Sequence, residues 1–174
     1  MPDATLKPGD LAPDFELMNQ DKQKVKLGDF RGKKKVALLF YPMDFSPTCT
    51  EEFCTFGPQQ DKITPDGETV IFGVSCDSPF CHAAFRRTYN ITLDLLSDPT
   101  RRMVKAYDMF AGEEPYNCSK RGTVVVGKDG RIVFHSEVPM REPRKVEDLA
   151  RQVSLEGLAE IEQEARNNEF GEST

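Results

Sequence analysis

Two unbroken apolar runs, Val36-Ala37-Leu38-Leu39-Phe40-Tyr41 and Val70-Ile71-Phe72-Gly73-Val74, interrupt a chain that elsewhere mixes apolar and polar positions. Runs of that length suit strands covered on both faces. Ahead of them, Asp14-Phe15-Glu16-Leu17 and Val25-Lys26-Leu27 alternate apolar and polar residues around the turn-like Asn19-Gln20-Asp21, which predicts an N-terminal hairpin or loosely paired strands. Between the two runs, Pro47 to about Ile63 reads as helix, with Gly57-Pro58 expected to kink or stop it. Strand, helix, strand predicts a parallel pair joined by a right-handed crossover.

Further helices are expected from Ser78, an N-cap with Pro79 at the first helical position, to about Asn90, and around Pro99 to Tyr107. Thr123–Val126 and Arg131–Ser136 flank Lys128-Asp129-Gly130, whose Asp-Gly pair is the chemistry of a tight hairpin. Val146, Leu149, Val153, Leu158 and Ile161 space out a last helix to about Ala165. This order predicts an α/β, thioredoxin-like fold: a central mixed sheet flanked by helices, with an N-terminal β-hairpin. Residues 1–165 are expected to form one domain, and the polar stretch 166–174 a disordered or fraying tail.

Composition narrows the function. A chain of 174 residues suits one core. Its net charge of −6 argues against nucleic acid as a partner, because phosphate binding needs a basic surface. No apolar run has the length of a membrane span, and Met1–Asp10 lacks a basic-plus-apolar leader, so a cytoplasmic, reducing setting without membrane attachment is expected. There, five cysteines are unlike a permanent disulfide framework and point to catalysis, metal binding or burial.

Of the five, Cys49 has the most telling place. Phe40-Tyr41-Pro42-Met43-Asp44-Phe45-Ser46-Pro47-Thr48-Cys49-Thr50-Glu51-Glu52 runs from the end of a buried strand into a helix, at the sheet edge where open α/β folds bind ligands. Ser46 is expected to cap the helix, Pro47 to open it, and Cys49 to take its third position, facing unsatisfied N–H groups and the positive end of the helix dipole. An ordinary thiol, with a pKa near ~8.5, is only a few per cent thiolate at neutral pH, and such a site with a cation nearby favours the nucleophilic thiolate. Glu51 and Glu52 oppose a thiolate unless a cation intervenes.

The stretch resembles the active-site motif of peroxiredoxins, Pro-x-x-x-Thr/Ser-x-x-Cys, matched by Pro42, Ser46 and Cys49. The likeness continues through Val74-Ser75-Cys76-Asp77-Ser78 with His82 and Phe85, and through Arg121-Gly122-Thr123-Val124-Val125-Val126 with Asp129-Gly130. Cys54, five residues after Cys49, matches the resolving position of the peroxiredoxin Q or bacterioferritin comigratory protein group, within the alkyl hydroperoxide reductase C and thiol-specific antioxidant superfamily. The resemblance implies a thiol peroxidase acting on hydrogen peroxide and organic hydroperoxides, with no cofactor and no metal. It implies that Cys49 is peroxidatic and that Pro42 shields its thiolate. Ser46, in place of the commoner Thr, would hydrogen-bond thiolate and peroxide, Arg121 would polarise both, and Glu52 would orient Arg121. A sulfenic acid would pass to an intramolecular disulfide reduced by thioredoxin or a similar dithiol protein, in a monomer or weak dimer.

A regular helix holds the Cα atoms of residues 49 and 54 about 8–9 Å apart, beyond the ~7 Å a disulfide tolerates. The helix must therefore unwind for Cys54 to resolve, and Gly57-Pro58 should ease that. Cys81 on the next helix is the alternative; Cys76 and Cys118 read as buried or incidental thiols. Two other functions compete. The pairs Cys49-x4-Cys54 and Cys76-x4-Cys81-His82 sit at the permissive limit of zinc spacing. A thioredoxin-type disulfide oxidoreductase would need Cys-x-x-Cys, but position 52 is Glu. His82 and His135 are expected in core or surface roles.

Overall fold

A computed structural model describes residues 5–171, and the side chains of 155, 156, 170 and 171 are left aside. Its elements are β1 (Glu16–Met18), β2 (Lys24–Lys26), β3 (Lys35–Phe40), α1 (Pro47–Phe56), α2 (Gln60–Ile63), β4 (Thr69–Ser75), α3 (Pro79–Tyr89), β5 (Asp94–Ser97), α4 (Arg102–Ala106), β6 (Arg121–Val126), β7 (Ile132–Val138), α5 (Val146–Val153) and α6 (Leu155–Gly171). The strands form one mixed sheet in the order β2-β1-β5-β4-β3-β6-β7. β3, β4 and β5 run parallel, and β6 and β7 return antiparallel.

The two apolar runs became β3 and β4, the adjacent central strands, and every residue of β3 is buried. Alternate residues feed two cores. Leu38, Phe40, Phe72 and Val74 meet Met103, Val104 and Tyr107 on one face. Ala37, Leu39 and Tyr41 meet Phe53, Phe85 and Leu149, on α1, α3 and α5, on the other. Gly73 in β4 lets α1 approach the sheet, since a Cβ there would lie 2.9 Å from the Phe53 ring and 2.7 Å from Leu95. α1 is therefore seated by Phe53, whose full burial contributes about 1.5–3 kcal/mol.

The structure differs from the sequence expectations at β5 and in the final helix. β5 was not anticipated: Asp94-Leu95-Leu96-Ser97 is too short and too unpatterned to stand out, yet pairing with β4 makes it a strand. The helix from Pro47 breaks as expected at Gly57-Pro58, which form a 3-10 turn between α1 and α2. The final helix is divided at Ser154, whose extended backbone ends α5 and whose hydroxyl accepts from Gly157 N at 2.9 Å to start α6. α6 continues to Gly171, past the expected end near Ala165; 172–174 lie outside the described residues. Among the described residues no helix is long and apolar enough to cross a membrane.

Candidate active site

The sheet itself assembles the site. The parallel strands β3, β4 and β5 end at one edge, and β6 begins there because it runs antiparallel to β3, with Phe40 opposite Gly122. Arg121 thus sits just past the end of β3, beside the loop that leads into α1. Residues 72 positions apart in sequence meet: Nη2 of Arg121 donates to Sγ of Cys49 at 3.1 Å. Cys49 is 0 % exposed and Arg121 is 1 % exposed. The expected helix positions hold, with Ser46 as N-cap, Pro47 first and Cys49 third.

Glu52, one turn along α1 from Cys49, faces the same guanidinium. Nη1 of Arg121 donates to Glu52 Oε1, and Nε of Arg121 donates to the Met140 carbonyl at 3.0 Å. A second guanidinium completes the arrangement. Arg144 donates to Glu52 Oε2 from its backbone N at 2.6 Å and from Nε at 2.8 Å, and to Oε1 from Nη2 at 3.0 Å. Its Nη1 holds the Gly122 carbonyl at 2.6 Å. Both Glu52 oxygens are therefore saturated, and this buried acid serves two cations at once. Two guanidiniums here face one carboxylate, so a local surplus of one positive charge lies beside the Cys49 sulfur.

Arg144 was missed in the sequence. It lies in Arg141-Glu142-Pro143-Arg144-Lys145, a polar stretch with no periodicity, and nothing local marks one of its three cations as buried.

Ser46 departs from expectation in detail. Its hydroxyl donates to the Met43 carbonyl at 3.0 Å and makes no cap bond to a helix N–H, so it caps by position alone. In this conformation it is committed away from Cys49. Pro42 is buried next to Tyr41.

The remaining thiols differ sharply in setting. All five cysteines are free. Cys54 lies exposed on α1. Cys81, near the start of α3, is half-buried; burial, then Asp44 and Asp77, push its thiol up to about 12. Cys76 is also pushed up to about 12, by burial and then Asp98. Cys118 is raised by burial and then by the neighbouring Cys49 sulfur. A thiol with so high a value stays protonated throughout the neutral range and ionises only as pH rises toward 12. Iodoacetamide should therefore label Cys81 about ten- to a hundredfold more slowly than a free thiol at pH 8, even allowing for the greater nucleophilicity of a basic thiolate. Peptide mass spectrometry of timed samples checks this, and labelling of Cys81 at the free-thiol rate would contradict it.

Among the described residues, the one grouping of potential metal ligands is Asp44, Asp77 and Cys81, and the cysteine pairs that suggested zinc do not converge.

The AhpC/TSA family model matches residues 8–135. The chain is 35% identical over 154 residues to a peroxiredoxin of Mycobacterium tuberculosis, covering 86% of this chain and 96% of that one. It is 35% identical over 134 residues to peroxiredoxin Bcp of Bacillus subtilis, covering 74% of this chain and 83% of the relative. Among solved structures, peroxidoxin BcpB of Mycobacterium tuberculosis superposes with a TM-score of 0.72 at 26% identity, over 90% of this chain and 98% of that one. The reduced 2-Cys peroxiredoxin of Plasmodium vivax superposes with a TM-score of 0.76 at 26% identity, over 91% of this chain and 83% of that one. The thioredoxin-like fold is common to them.

Proposed function

Since the chain belongs to the AhpC/TSA family and is a thiol-dependent peroxidase of the peroxiredoxin Q and Bcp group, we propose that Cys49 is its peroxidatic residue, Arg121, Ser46 and Pro42 its pocket, and Cys54 its resolving residue. The contact that carries the assignment is the 3.1 Å bond from Arg121 to the Cys49 sulfur inside a buried, charged network.

The thiolate attacks one peroxide oxygen in line with the O–O bond. An S–O bond forms as the O–O bond breaks, and the leaving alkoxide or hydroxide takes a proton to depart as alcohol or water. Arg121 and the open N–H groups of α1 stabilise the charge growing on that leaving oxygen. Cys49 is left as a sulfenic acid. For Ser46 to donate to thiolate or peroxide, its hydroxyl must first turn from Met43.

Cys54 then attacks the sulfenic sulfur, the S–S bond forms and the hydroxyl leaves as water. Cys49 is sealed from solvent and Cys54 faces outward on the same intact helix, so α1 must unwind before they meet. The 3-10 turn that begins at Gly57 stops α1 at Phe56, just past Cys54, leaving little helix to lose. Cys81 is disfavoured because burial, and then Asp44 and Asp77, keep its thiol protonated. A dithiol protein such as thioredoxin closes the cycle by reducing the bond. We further propose that residues 1–165 form the catalytic domain, working in the cytoplasm as a monomer or weak dimer without nucleic-acid or membrane partners. The net charge of −6 supports the absence of a nucleic-acid partner.

One equivalent of peroxide should yield a Cys49–Cys54 disulfide by peptide mass spectrometry. In Cys54→Ser the Cys49 sulfenic acid should persist and be trapped by dimedone. A Cys49–Cys81 bond with no Cys49–Cys54 bond would reassign the resolving residue; dimedone on another cysteine would reassign the nucleophile.

A further inference from the structure

The loop between β3 and α1 carries both Pro42 and Ser46, and a buried polar network grips it between them. The Asp44 side chain is 0 % exposed. Its Oδ1 accepts from the Tyr41 hydroxyl at 2.6 Å, and its Oδ2 lies 2.7 Å from His82 Nδ1. The Asp44 backbone N donates to Asp77 Oδ2 at 2.9 Å, and that oxygen also accepts from the Ser75 hydroxyl at 2.5 Å. His82 Nε2 faces the Leu96 carbonyl at 3.0 Å. A carbonyl only accepts, so Nε2 carries a proton, and Nδ1 and Asp44 share another across their contact. Burial, followed by Asp44, pushes the Tyr41 hydroxyl well up, which keeps it a donor.

This network joins β3, β4, α3 and β5 at a single loop residue. The next residue, Phe45, takes the left-handed φ of 65°, a conformation that costs a bulky side chain about 1–3 kcal/mol and persists only where the surroundings hold it. Its ring packs in tilted contact with Phe85, centroids 5.1 Å apart, and with Tyr89, 6.1 Å apart. Asp44 thus pins the loop from inside and Phe45 from outside. Ser46 follows directly, and its hydroxyl is tied to Met43 across that same pinned turn.

We propose that Tyr41, Asp44 and His82 are positioning residues, which set Pro42 and Ser46 against the Cys49 sulfur and so govern reaction with peroxide separately from ionisation of the thiol. Arg121 and Glu52 approach from β6 and α1 and, among the described residues, share no hydrogen bond with this network, so the two functions have different polar supports. The inference rests on Cys49 being the peroxidatic residue.

The test compares full-length wild type with Tyr41→Phe, His82→Leu and His82→Asn by three measurements: single-turnover oxidation of Cys49 by hydrogen peroxide, alkylation of Cys49 by iodoacetamide, and thermal melting. A loop displaced by about an ångström should slow the peroxide reaction about 10- to 100-fold in Tyr41→Phe and His82→Leu, with alkylation unchanged or faster. His82→Asn should recover much of the loss, because its amide can replace the Nδ1 donor to Asp44. Peroxide and alkylation rates falling together would reduce the network to a structural support, and so would a peroxide rate within about threefold of wild type. If His82→Leu fails to fold, Tyr41→Phe decides alone, since Phe preserves the ring packing. Full turnover in Cys49→Ser would instead overturn the premise, a result distinct from unaffected network variants beside an inactive Cys49→Ser.

Discussion

Serine at position 49 is expected to abolish peroxide turnover while leaving the fold intact. The substitution exchanges one sulfur for one oxygen in a site enclosed by Tyr41, Phe53 and the start of α1, so the change in volume is small. The chemistry changes far more. A serine hydroxyl does not ionise near neutrality, and without an adjacent base it remains a weak nucleophile. The contact from Arg121 can persist, but it would bind a neutral hydroxyl. Steady-state consumption of hydrogen peroxide, coupled to a thioredoxin system, should fall at least about 10³-fold. Thermal melting should stay within a few degrees of wild type. Cys54 is exposed and could react directly, but it lies near the end of α1 and, among the described residues, no guanidinium is bonded to its sulfur, so it should supply only a slow background. Substantial turnover in this variant would move the chemistry to another cysteine.

The candidate site was legible in the sequence where its residues leave a local mark. Cys49 could be read because strand end, Ser-Pro and helix start are contiguous, and because the electrostatics of a helix N-terminus follow from the backbone alone. Arg121 was legible only through the resemblance of its surrounding motif, since no spacing rule links residues 72 apart. The pairing of Phe40 with Gly122 makes that link. Arg144 was not legible: its burial depends on how the 139–145 segment folds over β6. For His82 a core and a surface role stood equally open; it lies in the core, and its partner Asp44 had no visible claim to it. The same applies to β5, which exists because β4 offers it an edge. Ser46 shows the limit from the other side, since the residue type was right for a cap and the hydroxyl found a different acceptor.

Arg121→Gln should separate the electrostatic part of the mechanism from the positional part. In wild type, Arg121 is fully buried and directs its nitrogens at three acceptors: the Cys49 sulfur, Glu52 and the Met140 carbonyl. Glutamine removes the charge and retains at most one of those bonds. Arg144 and Glu52 then balance each other, and a thiolate at Cys49 becomes an uncompensated buried charge, which is costly in a low-dielectric site. The transition state loses a donor to its developing charge as well. The second-order rate with peroxide should fall about 10²–10³-fold, roughly 3–4 kcal/mol, the usual cost of deleting one such donor. Alkylation of Cys49 should fall too, because the nucleophile itself is depleted. That joint loss is the opposite of the pattern expected for Tyr41→Phe, so stopped-flow peroxide kinetics and iodoacetamide labelling on the two variants form a paired test. Arg121→Lys should recover only part of the rate. A lysine ammonium restores the charge but cannot serve sulfur, carboxylate and carbonyl in the planar geometry the guanidinium uses. Full recovery with lysine would show that charge alone suffices, and the directed bond to the sulfur would lose its role.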